Sequence, residues 1–185
     1  MTYPSIDIIH GDIKPANILI FKDSSRHYVA KVADFGFSTC FRGDHDLISM
    51  PKSIPWNAPE YHYRSFEPPA AKRMDIYSFG MLCLWLIFGV SSSATMPLPP
   101  QTPHDKGHFI CFEDTQQKLN LLQYWKSDRN NKLLEWVTWL VVEHGCFKNE
   151  MSDRLSRFFN LTLVFEPEKR EINIGNLLHF LSPTR

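Results

Sequence analysis

The chain has 185 residues, enough to bury one sizeable core and short for two. Lys plus Arg and Asp plus Glu are equal at 20 each, so the basic excess that nucleic acid or an anionic membrane would require is missing. Cys40, Cys83, Cys111 and Cys146 show no C-x-x-C spacing, which gives no support to a zinc site or a disulfide framework.

No charged-then-apolar leader is visible at the start, and the most apolar run, 81–90, is about half of what spans a bilayer. The expected setting is therefore intracellular, cytoplasmic or nuclear, with no nucleic-acid and no membrane partner. In chain order, residues 5–9 read as the last turn of an element that begins upstream, because Ile6, Ile8 and Ile9 have nothing before them to pack on. Residues 17–21 and 28–33 are two short β runs around a Lys-Asp-Ser-Ser-Arg turn. That hairpin has Asn17 at its start and Asp34 at its end, so both polar groups emerge at one edge of a small sheet, as ligands of a shared cation must.

Residues 37–57 have no clean period and contain Gly43, Pro51 and Pro55, which predicts a long loop of functional or disordered kind. Residues 59–63 suit a short helix with proline in its first turn. The strongest helix runs over 75–89, with Asp75 as cap and Gly89 as stop. Its apolar residues lie all round, including Ile76, Phe79, Met81, Leu84 and Trp85, so it should be buried on every side as the central post of a helical domain. Cys83 within it is most simply a small buried hydrophobe. Residues 91–108, rich in Ser and Pro, read as a loop or insertion. Helices follow over 113–126, 131–144, roughly 151–163 and roughly 171–181. Trp125, Trp136 and Trp139 are core packing rather than a cofactor box. The fold class is mainly α with a small β-hairpin.

The chemistry is concentrated in His10-Gly11-Asp12-Ile13-Lys14-Pro15-Ala16-Asn17, read with Asp34-Phe35-Gly36, Ala58-Pro59-Glu60 and Asp75. This ordered set resembles the catalytic loop, H-R-D-L-x-x-x-N, and the D-F-G turn of the eukaryotic protein kinases. D-F-G alone turns up often by chance; the ordered series is the specific signal. Gly11 stands where the family has arginine. The resemblance covers roughly residues 5–181 and only the carboxyl-terminal lobe of the family. It implies a truncated protein kinase domain over 1–185, an α+β kinase-like C-lobe lacking the N-terminal lobe. Its catalytic loop would be 10–17, its activation segment 34–60 and its helical subdomain 73–181.

The resemblance also implies roles. Asp12 would orient the substrate hydroxyl and accept its proton, with Lys14 facing the charge that develops on the transferred phosphate. Asn17 and Asp34 would hold Mg²⁺ and, through it, ATP. Leu19 would floor the adenine site, supported by Leu82 and Leu86. Ser53 would tie the substrate loop to Asp12 and Lys14. Glu60 would pair with a buried Arg170, and Asp75 would accept hydrogen bonds from the backbone of the catalytic loop. His10 and Phe35 would stack in the regulatory spine beside Gly36, with no acid–base work for His10.

Lys14 and Ser53 go with serine/threonine acceptors, and Phe37 goes with serine over threonine. Trp56-Asn57 is less typical of the family. Replacement of the arginine by Gly11 removes the usual receiver of an activation-loop phosphate, which leaves Ser38, Thr39 and Ser49 as phosphosites without one. The loop over 51–60 and the helix start at Met74-Asp75 suit a divergent branch such as fungal kinase-like proteins. No glycine-rich loop, V-A-I-K lysine or partner glutamate string occurs. An upstream segment or a partner is expected to supply that lobe, and the isolated chain should be catalytically feeble towards a protein substrate. The alternative is a non-catalytic pseudokinase or scaffold that binds protein through its helical lobe. Retention of Asp12, Lys14, Asn17 and Asp34 together argues for catalytic ancestry.

Overall fold

A computed structural model describes residues 7–41, 47–61, 65–88, 95–98, 108–111, 114–142, 147 and 149–182. The strands are β1 (Asp7–Ile9), β2 (Ile18–Lys22), β3 (Tyr28–Val32), β4 (Thr39–Phe41), β5 (Ile48–Ser49) and β6 (Ser65–Phe66). Helix α1 (Pro68–Ile87) comes next, then β7 (Thr95–Leu98) and β8 (His108–Cys111). Four helices complete the chain: α2 (Thr115–Lys126), α3 (Lys132–Val142), α4 (Asn149–Thr162) and α5 (Ile174–Leu181). Among the described residues the strands pair as four separate antiparallel ribbons, β1–β4, β2–β3, β5–β6 and β7–β8, rather than the single hairpin expected.

Four expectations of local structure are corrected. Residues 7–9 are a strand, not the end of a turn: Ile9 pairs with Thr39 and Ile8 with Cys40. Ile9 is 1% exposed and Ile8 59%, the two-residue alternation of a strand with one buried side. The stretch 37–57 is not a continuous loop, since β4 and β5 lie inside it, and 95–98 pairs with 108–111 where a loop was expected. No helix forms at 59–61. Residues 59–60 are a turn, with the Tyr61 amide donating to the Ala58 carbonyl at 3.2 Å. The rest of that expected helix lies outside the described residues.

Helix α1 begins seven residues before the expected cap. Pro68 and Pro69 occupy its first two positions, where an N–H is not needed and a fixed φ is already helical. Asp75 is thereby placed inside the helix, with its carboxylate free to reach a neighbouring element. Most of α1 is buried, but Leu86 is 60% exposed, so the helix surfaces in its last turn. The expected stop, Gly89, lies outside the described residues. Helix α2 is capped by Asp114, whose carboxylate accepts from the Gln117 amide at 2.8 Å. Helix α5 starts at Ile174 rather than 171, capped by Asn173 on the Gly175 amide at 2.9 Å.

The core gathers α1, α3 and α4 around Met81, Leu84, Val137, Leu140, Phe158 and Phe159. Trp125 and Trp136 pack at 4.8 Å between ring centroids. Gly80 lets α1 and α4 touch: a Cβ there would lie 2.6 Å from the Thr162 hydroxyl oxygen and 2.7 Å from its Cβ. Thr162 is fully buried and branched at Cβ, so it has little room to give. Gly80→Ala is therefore expected to destabilise the fold by about 1–3 kcal/mol, read as a lower midpoint of urea unfolding at unchanged slope. Among the described residues, no helix is long and apolar enough to cross a membrane.

Candidate active site

The site begins where β1 leaves the core. After Ile9 the chain turns at Gly11, with φ +82°, a left-handed conformation that glycine adopts freely. A Cβ at Gly11 would stand 3.1 Å from the Phe37 carbonyl oxygen. A larger residue here pays about 1–2 kcal/mol for its backbone and presses on that carbonyl. Gly11 thus has a local backbone reason of its own.

Asp75 fastens this turn from α1. Its Oδ2 accepts the His10 amide at 2.6 Å and its Oδ1 the Gly11 amide at 2.9 Å. Burial pushes the Asp75 carboxyl up to about 6, and the two backbone N–H bonds pull the other way. His10 is buried with Nε2 3.1 Å from the Ala33 carbonyl, and its Nδ1 accepts the Asp12 amide at 3.3 Å, an arrangement that fits the proton on Nε2. The Phe35 ring meets His10 edge to face at 5.3 Å. His10 therefore joins the loop to the far end of β3.

Asp12 is 4% exposed and both its oxygens are engaged. Oδ2 accepts from Lys14 Nζ at 2.7 Å and from Asn17 Nδ2 at 3.1 Å; Oδ1 accepts from the Ser53 hydroxyl at 2.6 Å. Lys14 Nζ also donates to Ser53 Oγ at 3.2 Å, and Asn17 Nδ2 to the Asp12 carbonyl at 2.8 Å. Burial alone would raise the Asp12 pKa. Hydrogen bonds from Lys14 and Ser53, the Lys14 charge and the Asn17 amide outweigh it and hold the carboxyl below its ordinary value. An ionised, oriented carboxylate beside an ammonium can take a proton from a hydroxyl and present a cation to a developing anion.

Asn17 ends a short 3₁₀ turn, Pro15–Asn17, immediately before β2. Its NH₂ is committed to Asp12, which leaves the amide oxygen as its acceptor for another ligand. Across the mouth of the β2–β3 hairpin, the Ala33 amide donates to the Asn17 carbonyl at 2.8 Å, so Asp34 stands at the same end. Asp34 is exposed in the left-handed region, φ 61° and ψ 73°, and accepts from the Gly36 amide at 3.3 Å. Asp12, Lys14, Asn17 and Ser53 thus form one hydrogen-bonded cluster; Asp34 lies beside it without a described bond into it. Among the described residues, no three His, Cys, Asp or Glu side chains gather into a metal cage. A divalent ion here would rest on the Asn17 and Asp34 oxygens together with oxygens of its substrate, the usual habit of Mg²⁺.

Leu82 is buried, whereas Leu19 and Leu86 are 46% and 60% exposed. The Ser38 hydroxyl donates to the His10 carbonyl at 3.1 Å, which engages one expected phosphosite with the loop. Further along, Glu60 and Arg170 form a bidentate pair at 2.6 and 3.0 Å. The guanidinium also donates to the Val164 and Phe165 carbonyls and lies 4.7 Å over the Tyr77 ring.

One residue escaped the sequence reading. Lys126, at the end of α2, is 3% exposed and donates to the Pro55 carbonyl at 2.9 Å and the Asn57 carbonyl at 2.7 Å. The signal available was its register: with Lys118, Leu122 and Trp125 it occupies the buried face of α2.

The family model of the protein kinase domain matches residues 3–171. The chain is 30% identical over 144 residues to wall-associated receptor kinase 5 of Arabidopsis thaliana, covering 76% of this chain and 16% of that protein. It is 38% identical over 85 residues to the leucine-rich repeat receptor-like protein kinase TDR of the same plant, 46% of this chain and 8% of that one. Ribosomal protein S6 kinase alpha-6 of Danio rerio is 34% identical over 91 residues, 49% of this chain and 12% of the relative. The chain therefore spans only a small part of the length of these relatives. With a family model matched from before the Asp12 loop to just beyond Arg170, the chain belongs to the protein kinase domain family.

Proposed function

We propose that this chain carries the reacting end of a serine/threonine protein kinase, transferring the γ-phosphate of ATP to a protein hydroxyl. The observation that carries the reading is the bonded cluster of Asp12, Lys14, Asn17 and Ser53. In it the Asp12 carboxylate orients the incoming hydroxyl and receives its proton. The Lys14 ammonium, 2.7 Å from Asp12, faces the oxygens on which charge gathers. The Ser53 hydroxyl holds the substrate-facing segment against both. Asn17 and Asp34 are hard oxygen donors of the kind Mg²⁺ takes, so the donor set fits that ion; bound there, it would neutralise and bridge phosphate oxygens. Lys14 together with Ser53 favours aliphatic hydroxyl acceptors.

In this reading Leu19 floors ATP and Asn17 and Asp34 are its metal donors, while the chain carries no glycine-rich-loop or V-A-I-K lysine string to contact the phosphates. Each missing charge-assisted contact forfeits roughly 1.5–3 kcal/mol, so this chain alone turns over well below about 1 per second. The deciding measurement is a thermal shift with ATP, with and without Mg²⁺. Stabilisation by ATP that needs Mg²⁺ and disappears in Asp34→Ala is the expected result, following the mass-action rise with ligand. Equal shifts in the two chains, or none in either, sink the nucleotide site.

A second reading is a non-catalytic module that binds protein. It is favoured by the uncovered hairpin, where Ile20, Phe21 and Tyr28 are 61%, 46% and 73% exposed. An adjoining cleft of about 580 Å³, where Ile8, Val32 and Phe35 stand with His10, Lys72 and Asp75, adds to that surface. Absence of the Mg²⁺-dependent shift in a well-folded chain favours this reading over the first.

A further inference from the structure

The turn that presents Ser53 to Asp12 is gripped from its other side. The Asn57 amide donates to the Ser53 carbonyl at 2.9 Å, closing a tight turn over 53–57. Behind the turn lies Lys126 of α2, with Nζ 2.9 Å from the Pro55 carbonyl, 2.7 Å from the Asn57 carbonyl and 3.4 Å from Asn57 Oδ1. Trp56, between these acceptors, is buried with its ring edge to face against Trp85 at 5.4 Å. Two anchors from different helices therefore hold one turn: Trp85 of α1 by packing and Lys126 of α2 by hydrogen bonds. On the near side the same turn delivers the Ser53 hydroxyl to Asp12 Oδ1 at 2.6 Å and within 3.2 Å of Lys14 Nζ.

We propose that Lys126 is a positioning residue for the Asp12 site, clamping the 53–57 turn so that Ser53 stays seated on Asp12 and Lys14. The physical case is that two backbone carbonyls face α2, that of Pro55 buried and that of Asn57 partly so, and the turn's own N–H groups make no bond to either. Without Lys126 both carbonyls gain by rotating towards water, which rotates Ser53 with them. Lysine suits the task because one nitrogen on a flexible stem can meet oxygens lying in different directions. Glu60 is the charged group that acts on Lys126, and it is itself paired with Arg170, so the clamp adjoins the end of the same segment. Burial pushes Lys126 down to about 7, with the Glu60 charge opposing, which puts its titration within reach of a folded-state measurement.

This inference rests on the reading of Asp12 and Lys14 as the reacting pair, but its readout needs no turnover. Amide hydrogen exchange is compared between the full chain and Lys126→Met, which keeps the length of the side chain and removes the donors. Protection of the Asn57 amide is expected to fall about tenfold or more, the size that follows loss of a charged donor, while α1 amides keep theirs. In the unaltered chain, the Asn57 amide resonance is expected to titrate with the same midpoint as the Lys126 side-chain nitrogen. Unchanged protection at the turn overturns the proposal, as does an equal loss across α1 and α3. Should Lys126→Met fail to fold, the titration decides alone: turn resonances that ignore the Lys126 midpoint overturn it. A chain that transfers no phosphate yet shows both effects removes the kinase reading and leaves the clamp standing.

Discussion

Arg170→Ala is expected to lower the unfolding free energy by about 3–5 kcal/mol, a large fraction of what holds a single domain together. The side chain of Arg170 is 0% exposed, and its guanidinium serves Glu60, Val164, Phe165 and the face of Tyr77 at once. Removing it leaves two backbone carbonyls without their donor and a carboxylate without its partner. Glu60→Ala should cost less, because the cation it leaves behind keeps both carbonyls, while Glu60 itself is 21% exposed and already partly hydrated. The double variant should be less destabilised than the two single losses added together, since each single change strands the other's charge. Arg170→Lys is not expected to rescue, because an ammonium cannot reproduce a bidentate fork beside two further acceptors. Urea unfolding of the parent and the four variants measures this; strict additivity, or full rescue by lysine, would show that the pair is incidental.

This pair also shows what the sequence could and could not disclose. Glu60 and Arg170 lie 110 residues apart, and only the ordered motifs linked them. The hairpin was legible because its turn and both strands are contiguous, and its observed bounds, Ile18–Lys22 and Tyr28–Val32, lie within a residue of the expected ones. Strands β1, β4, β5 and β6 were not legible. Each has two or three residues and its partner lies far along the chain, so no local period marks it. Asp75 misled for a related reason. An acid before an apolar run reads as a cap, and only the loop it fastens, 64 residues earlier, shows that its carboxylate is occupied elsewhere. Lys126 was hidden in the same way, because a lysine on a helix is ordinarily solvated and its acceptors are 69 and 71 residues distant.

Buried charge predicts the pH dependence of stability. Asp75 is raised from 3.8 to about 6, first by burial, so between those values the folded chain binds more protons than the unfolded one. Stability therefore falls as pH rises through that window and levels off above it. Lys126 is lowered from 10.5 to about 7, again first by burial, so there the unfolded chain binds more protons and stability rises with pH from about 7 upward. The two limbs leave their combined contribution lowest between about pH 6 and 7, an unusual profile for a domain of balanced charge. Asp12 works in the opposite sense: its carboxyl is lowered, so its contribution is present above the ordinary carboxylate range and is lost only on stronger acidification.

Urea unfolding at about pH 4.5, 6.5 and 9.5 should show the dip, and each limb should vanish in its own variant. Asp75→Asn keeps one carbonyl acceptor for the His10–Gly11 amides but cannot ionise, so the parent's stability relative to this variant should fall as pH rises from about 4 to 6 and stay level above it. Lys126→Met should flatten only the alkaline limb, on top of a pH-independent loss from the missing donors. A parent chain whose stability peaks between pH 6 and 7, with neither variant changing the profile, would mean that Asp75 and Lys126 reach solvent and that the turn and the loop they hold are looser than their hydrogen bonds imply.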